Sequence, residues 1–169
     1  MENFKEKLQR IKCFIFDVDG VLTNGNLIIM PDGEMLRTMN IKDGYAMQLA
    51  IKKGYYMAII SGGKSEGVPV RLQRLGITEI HMHVQNKMKV YAGLKKKYAL
   101  TDEQILYMGD DLPDLEIMNQ AGLAACPEDA CTEVKAIAVY RSLKKGGEGC
   151  VRDLIEQVMR LHGNWQEQE

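Results

Sequence analysis

No apolar run in the 169-residue chain approaches the roughly 20 residues needed to cross a bilayer. A membrane-spanning helix is therefore not expected. The first ten residues are charged and carry no apolar core of the kind a secretory leader uses. Cysteine is sparse: Cys13, Cys126, Cys131 and Cys150 form no C-x-x-C pair, and no histidine-rich segment stands beside them. That pattern leaves no zinc site, and Cys13, inside an apolar run, reads as a buried thiol. The expectation is a reduced, cytoplasmic protein. Charge of one sign is also missing. With 22 Lys and Arg against 23 Asp and Glu the net charge is −1, so no basic surface argues for nucleic acid. Neither an internal repeat nor a low-complexity linker is present.

What the chain does contain is alternation. Its length suits one domain with a real core, and 46% hydrophobic with 27% charged residues is an ordinary globular balance. Short apolar runs at Ile11–Phe16, Tyr56–Ile60, Ile80–Met82 and Ile105–Met108 read as buried strands, with Leu123–Ala125 and Ile137–Val139 as weaker candidates. Helical patterns lie between them. Asp43 can cap one running to Lys53, stopped by Gly54. Glu66–Leu75 and Leu112–Ala121 each end at a glycine, and Met88, Tyr91, Leu94 and Tyr98 mark one face of another helix. Thr101 and Gln104 resemble a capping box placed before a strand. Val151, Leu154, Ile155, Val158 and Leu161 line a C-terminal helix. Such alternation predicts an α/β fold, a doubly wound parallel sheet with helices on both faces.

One segment departs from this rhythm. Leu27–Met30, the turn Asp32-Gly33 and Glu34–Met39 read as a β-hairpin, within about residues 25–40. Its apolar residues, Leu27, Ile29, Leu36 and Met39 among them, need a surface to cover them, which implies a partner subunit. The stretch 142–150 is rich in glycine and lysine and reads as flexible. His81 and His83 alternate as on one strand and read as structural, and the 11 methionines as core filling.

In an open parallel sheet, functional groups collect at the carboxyl ends of the strands. After the first strand comes Asp17-Val18-Asp19-Gly20-Val21-Leu22-Thr23. Two carboxylates at one sheet edge need a proton or a cation to coexist. After the second comes Ser61-Gly62-Gly63-Lys64, a hydroxyl and free N–H groups suited to an anion. After the third, Lys87 opens a helix, where its charge opposes the helix dipole unless an anion is near. After the fourth comes Gly109-Asp110-Asp111-Leu112-Pro113-Asp114, three acids on one strand end. Taken singly, each has an ordinary explanation: an acidic capping loop, a serine-capped turn, a solvated lysine, acids at a helix start. Their occurrence in this order at four successive strand ends is far more specific.

That order resembles the haloacid dehalogenase-like phosphohydrolase superfamily, and the likeness spans the chain. The resemblance implies that Asp17 is a nucleophile forming an aspartyl-phosphate and Asp19 an acid/base. Ser61 and Lys87 would hold phosphoryl oxygens, and Asp110 would bind Mg²⁺ with the Asp17 carboxylate and the Asp19 main-chain oxygen. Asp111 and Asp114 would orient Lys87 or metal-bound water. The physics is consistent: a carboxylate attacking an anionic phosphate needs cations to offset repulsion, and a covalent step divides a hard hydrolysis in two.

The spaces between motifs leave no room for the cap domain that usually supplies specificity. Within the superfamily the chain resembles the capless 3-deoxy-D-manno-octulosonate 8-phosphate phosphatases. Three segments carry this: Asp17–Gly25 followed by the hairpin, Asn40-Ile41-Lys42-Asp43-Gly44-Tyr45, and Gly146-Gly147-Glu148-Gly149-Cys150-Val151-Arg152. The resemblance implies one phosphohydrolase domain over 1–169 and a small sugar-acid phosphate substrate. It also implies a homotetramer built through the hairpins, with each tail over a neighbour's site. The implied substrate contacts are Asn40, Lys42, Asp43, Gly44, Gly62, Gly63, Arg71, Lys87 and Arg152. Gly63 stands where many relatives carry a bulky charged residue. A phosphatase for a nine-carbon sugar acid 9-phosphate and a non-catalytic oligomerising relative are the alternatives. A signalling receiver domain is disfavoured, because no Asp follows the third strand.

Overall fold

The computed structural model describes residues 3–166. Its centre is strand β1 (Cys13–Phe16), which pairs in parallel with β4 (Tyr56–Ile60) on one side and β6 (Ile105–Met108) on the other. β5 (Glu79–His81) extends the sheet beyond β4, and β7 (Leu123–Cys126) and β8 (Tyr140–Arg141) extend it beyond β6. The order of this parallel sheet is β5-β4-β1-β6-β7-β8.

Strands buried on both faces read as unbroken apolar runs, and Cys13-Phe14-Ile15-Phe16 is buried throughout. Successive side chains point to opposite faces. Phe14 and Phe16 therefore enter one core layer with α1 (Phe4–Arg10), α2 (Ile41–Lys52), α3 (Gly67–Arg74) and α7 (Cys150–Leu161). Cys13 and Ile15 enter the other, with α4 (Lys87–Tyr98), α5 (Leu115–Gln120) and α6 (Thr132–Ile137). On α7 the buried stripe is Val151, Leu154, Ile155 and Val158. Burying each such side chain contributes up to about 1.5–3 kcal/mol. Leu161 leaves the stripe and is exposed.

The helix after β1 packs on one face and the helix after β6 on the other. Their departure in opposite directions opens a crevice at the carboxyl ends of these neighbouring strands.

Three local expectations need correction. Asn40, not Asp43, caps α2: its Oδ1 accepts from the N–H groups of Lys42 (2.8 Å) and Asp43 (3.3 Å), and the first turn begins at Ile41. The last strand is Tyr140–Arg141, because Ile137 completes α6, whose buried Val134 lies three residues earlier. His83 does not continue the strand of His81; it lies past β5 with φ +56°. The Thr101/Gln104 capping box does form, on a single short turn before β6.

The hairpin is short, with β2 (Ile28–Ile29) antiparallel to β3 (Met35–Leu36). Leu27, Ile28, Ile29, Met30, Met35 and Leu36 are all exposed, Ile29 at 70%, whereas Met39 packs against the core. The stretch 142–150 is hydrogen-bonded into the fold. Ser142 Oγ donates to Asp153 at 2.6 Å, Gly146 N–H to Asp129 at 2.9 Å, and Gly147 N–H to the Val21 carbonyl at 2.9 Å. A Cβ on Gly146 would fall 1.9 Å from the Gly20 carbonyl oxygen, so this stretch lies directly on the loop that follows β1.

Candidate active site

The chain leaves β1 through Asp17–Thr23, a tight irregular turn. Gly20 has φ +84°, and a Cβ there would fall 1.9 Å from Asp110 Oδ2. Only glycine lets this loop lie against the acid that follows β6. Thr23, fully buried, closes the loop by accepting from the N–H groups of Gly20 (3.3 Å) and Gly25 (3.2 Å).

At this edge lies a cavity of about 310 Å³ lined by Asp17, Asp19, Ser61, Gly62, Gly63, Lys87, Asp110, Asp111 and Asp114. These residues come from four strand ends, as expected. Ser61 is buried, and its Oγ accepts the Gly63 N–H at 3.1 Å. Lys87, the first residue of α4, places Nζ 3.2 Å from Asp17 Oδ1 and donates to Asp114 Oδ1 at 2.7 Å. Burial alone would lower the Lys87 pKa, but the Asp17 and Asp114 carboxylates outweigh it and raise it.

Asp114 is engaged at both oxygens. Oδ1 also accepts the Tyr107 hydroxyl at 2.5 Å, and Oδ2 accepts the N–H groups of Asp110 (3.0 Å) and Asp111 (3.3 Å). It fixes Lys87 and the turn after β6 together. Asp111 instead caps the next turn, accepting the Leu112 N–H at 2.8 Å.

Asp17 is anchored through Oδ1, which accepts the Val18 N–H at 2.7 Å. Burial, then the charge of Asp114, pushes the Asp17 carboxyl up to about 7 against the pull of Lys87. Asp110 is pushed up to about 8 by burial, then by Asp17, Asp114 and Asp111. A cation relieves such crowding. Asp17, Asp110 and Asp114 present oxygens within 4.8 Å of one another, and Asp110 Oδ1 is buried with no hydrogen-bond partner. An orphaned buried carboxylate oxygen among hard oxygen donors fits Mg²⁺. Because the Asp114 oxygens are already taken, Asp17 and Asp110 are the side chains placed to hold it.

Asp19 is gripped by a residue that the sequence reading passed over. Arg37, just past β3, donates from Nε to Asp19 Oδ1 at 2.6 Å and from Nη2 to Oδ2 at 3.1 Å. Only Gly63 leaves space for this pair: a Cβ there would lie 2.6 Å from Asp19 Oδ2 and 3.1 Å from Arg37 Nη2. Tyr107 was equally missed, since an aromatic residue inside an apolar strand reads as core. For Arg37 the available signal was a charged residue ending the Met35-Leu36 strand, together with the small residue at position 63.

The expected substrate contacts divide among several places. Gly62, Gly63 and Lys87 line the acidic cavity. Arg71 lines a neighbouring cavity of about 350 Å³, with Arg37, and its Nη2 would lie 2.8 Å from a Cβ on Gly44. Asn40, Lys42 and Arg152 border a third, larger cavity of about 840 Å³ beside α7. Asp43 is buried, accepting the Arg152 N–H at 2.7 Å.

Comparison with known proteins bears on this arrangement. Residues 73–152 match the haloacid dehalogenase-like hydrolase family. The chain is 34% identical over 161 residues to the 3-deoxy-D-manno-octulosonate 8-phosphate phosphatase KdsC of Escherichia coli K12, covering 95% of this chain and 86% of that protein. The phosphatase of the same name from Yersinia pestis superposes with a TM-score of 0.93 at 31% identity, covering 96% of this chain and 88% of the other. The Moraxella catarrhalis enzyme, solved with magnesium, phosphate and the sugar acid KDO, superposes with a TM-score of 0.92 at 33% identity over 95% of this chain and 92% of the other.

Proposed function

The chain belongs to the 3-deoxy-D-manno-octulosonate 8-phosphate phosphatases, a capless branch of the haloacid dehalogenase-like hydrolases, and from that premise we propose how its residues divide the work. It is a magnesium-dependent phosphoric monoester hydrolase that converts 3-deoxy-D-manno-octulosonate 8-phosphate to the free sugar acid and phosphate, a step in lipopolysaccharide precursor synthesis. The observation that carries the reading is the meeting of Asp17, Lys87 and Asp110 in one cavity at the β1/β6 crevice.

In this reading Asp17 attacks phosphorus, and the bond from phosphorus to the C8 oxygen breaks as the aspartyl-phosphate forms. Asp19 gives a proton to the departing oxygen, then takes one from the water that opens the intermediate. Lys87, itself held by Asp114, neutralises phosphoryl oxygens, and the Gly62 N–H and the Ser61 hydroxyl, which the Gly63 N–H holds in place, bind the remainder. Asp17, Asp110 and the Asp19 main-chain oxygen would hold Mg²⁺, which would supply positive charge between carboxylate and phosphate. Arg71 meets the carboxylate end of the substrate, while Asp43 and Gly44 shape the wall behind it.

The unit is a single phosphohydrolase domain that works in the cytoplasm as a homotetramer. No helix among the described residues is long and apolar enough to cross a membrane, and the exposed hairpin offers an apolar surface for assembly. The deciding experiment is phosphate release with Mg²⁺ from the eight-carbon 8-phosphate beside a nine-carbon sugar acid 9-phosphate. Strong preference for the first is expected. Preference for the second would change the substrate and keep the chemistry, and no release from either would remove the phosphatase reading.

A further inference from the structure

Arg37 occupies an unusual position for a residue outside the four motifs. Its side chain is only 4% exposed although it comes from a projecting hairpin. Besides its two bonds to Asp19, Nη1 donates to the carbonyls of Met35 (3.0 Å) and Lys64 (3.3 Å). It also stands between two cavities. Its guanidinium reaches Asp19, which lines the acidic cavity, and the residue itself lines the neighbouring cavity that holds Arg71. Among the described residues, Glu34 is the one acid lining that second cavity.

The forked contact has a chemical consequence for Asp19. Each of its oxygens already faces an N–H donor of Arg37. Each oxygen keeps a second lone pair, but the fork fixes the plane and direction of the carboxylate, so it cannot turn toward a leaving group while the pair holds. The pair as it stands therefore holds Asp19 out of its part in proton transfer. Something must take the guanidinium away before Asp19 can act.

The substrate carries what is needed. A planar guanidinium paired in two places with one carboxylate pairs equally well with another. Exchanging Asp19 for a substrate carboxylate keeps both charge-assisted bonds, so the exchange itself costs little. A neutral sugar phosphate offers nothing in return. We propose that Arg37 is a specificity-determining and positioning residue: it latches Asp19 until the carboxylate of the substrate, entering the cavity shared with Arg71, draws the guanidinium away. The sugar acid's own carboxylate thus releases the acid/base that its phosphate requires. This inference rests on the phosphatase reading above.

The test compares wild type, Arg37→Ala and Arg37→Lys, each with Mg²⁺, on the sugar-acid phosphate and on glucose 6-phosphate. A thermal melt verifies that each variant is folded. For Arg37→Ala, kcat/KM on the sugar-acid phosphate should fall about 100-fold, mostly through KM, as when one partner of a buried charge pair is removed. On glucose 6-phosphate kcat should rise several-fold, because Asp19 is no longer held. Arg37→Lys keeps charge without the fork and should fall between. Equal losses on both substrates would overturn the inference and leave Arg37 a support for Asp19, and no change on either would overturn it too. A wild-type enzyme that hydrolyses simple phosphate esters but not the sugar-acid phosphate would overturn the substrate reading itself, an outcome visible before any variant is made.

Discussion

The carboxylate of Asp43, sunk in the first turn of α2, accepts the backbone N–H of Arg152 at 2.7 Å and so ties the Asn40–Gly44 segment to the amino end of α7. Its second oxygen is buried without a hydrogen-bond partner, and burial pushes the group up to about 6 despite the N–H groups that favour its charged form. In the unfolded chain an aspartate titrates near about 3.9. The folded state therefore binds this proton more tightly. The resulting stabilisation is full below about pH 4 and is lost as pH rises through about 6. Urea unfolding of wild type and Asp43→Asn at pH 5 and pH 8 reads this out. The difference between the two proteins should change by about 1–2 kcal/mol across that window, with wild type losing the more on going to pH 8. A constant difference would mean that Asp43 does not titrate there.

Replacing Asp17 with Asn should reduce phosphate release by about four orders of magnitude or more, as expected for a lost nucleophile. The fold should survive, because the amide oxygen can still accept the Val18 N–H. Without Mg²⁺ the variant should also melt higher than wild type, since one of the crowded charges around Asp110 and Asp114 is gone. Residual turnover near wild type would exclude Asp17 as the attacking group.

Chelation of divalent metal should abolish activity, and added Mg²⁺ should raise the melting temperature. At a hundredfold excess over its dissociation constant the ion stabilises by about 2.7 kcal/mol. Asp110→Asn should lose most of that Mg²⁺-induced shift, because its carboxylate is half of the side-chain pair left to hold the ion. A shift of undiminished size in the variant would place the metal elsewhere.

The hairpin makes a prediction about assembly. Ile29→Asp puts a charge at the most exposed point of an apolar surface. Sedimentation velocity should find wild type as a tetramer and the variant as smaller species, with the monomer fold intact by circular dichroism. Unchanged sedimentation would remove the hairpin from the interface.

The features legible in the sequence are those that parallel-sheet geometry makes independent of detail. Asp17, Ser61, Lys87 and Asp110 all follow apolar strands, so any parallel pairing of those strands brings them to one edge. Side chains that reach the site from elsewhere were not legible. Arg37 meets Asp19 across 18 residues because an exposed hairpin folds back, and no periodicity encodes that return. Asn40 took the helix cap expected of Asp43 because both residues can play that part, and burial against α7 engaged Asp43 otherwise. As isolated bases Arg71, Lys42 and Arg152 look alike, yet Arg71 lines one cavity and Lys42 and Arg152 another.

The contact of Gly146 with the Gly20 carbonyl has a consequence for how the molecule comes into being. Strands β1, β4, β5 and β6 are all complete by residue 108, so the sheet edge that carries Asp17 can form early in synthesis. The loop bearing Asp19 acquires its final support only when Gly146 settles against the Gly20 carbonyl and the Gly147 N–H donates to the Val21 carbonyl. Long-range closures of this kind come late, after the loop entropy between the two segments has been overcome. Completion of the loop after β1 is thus timed to the synthesis of residues 146 and 147, and a shorter nascent chain holds its acids together without this brace.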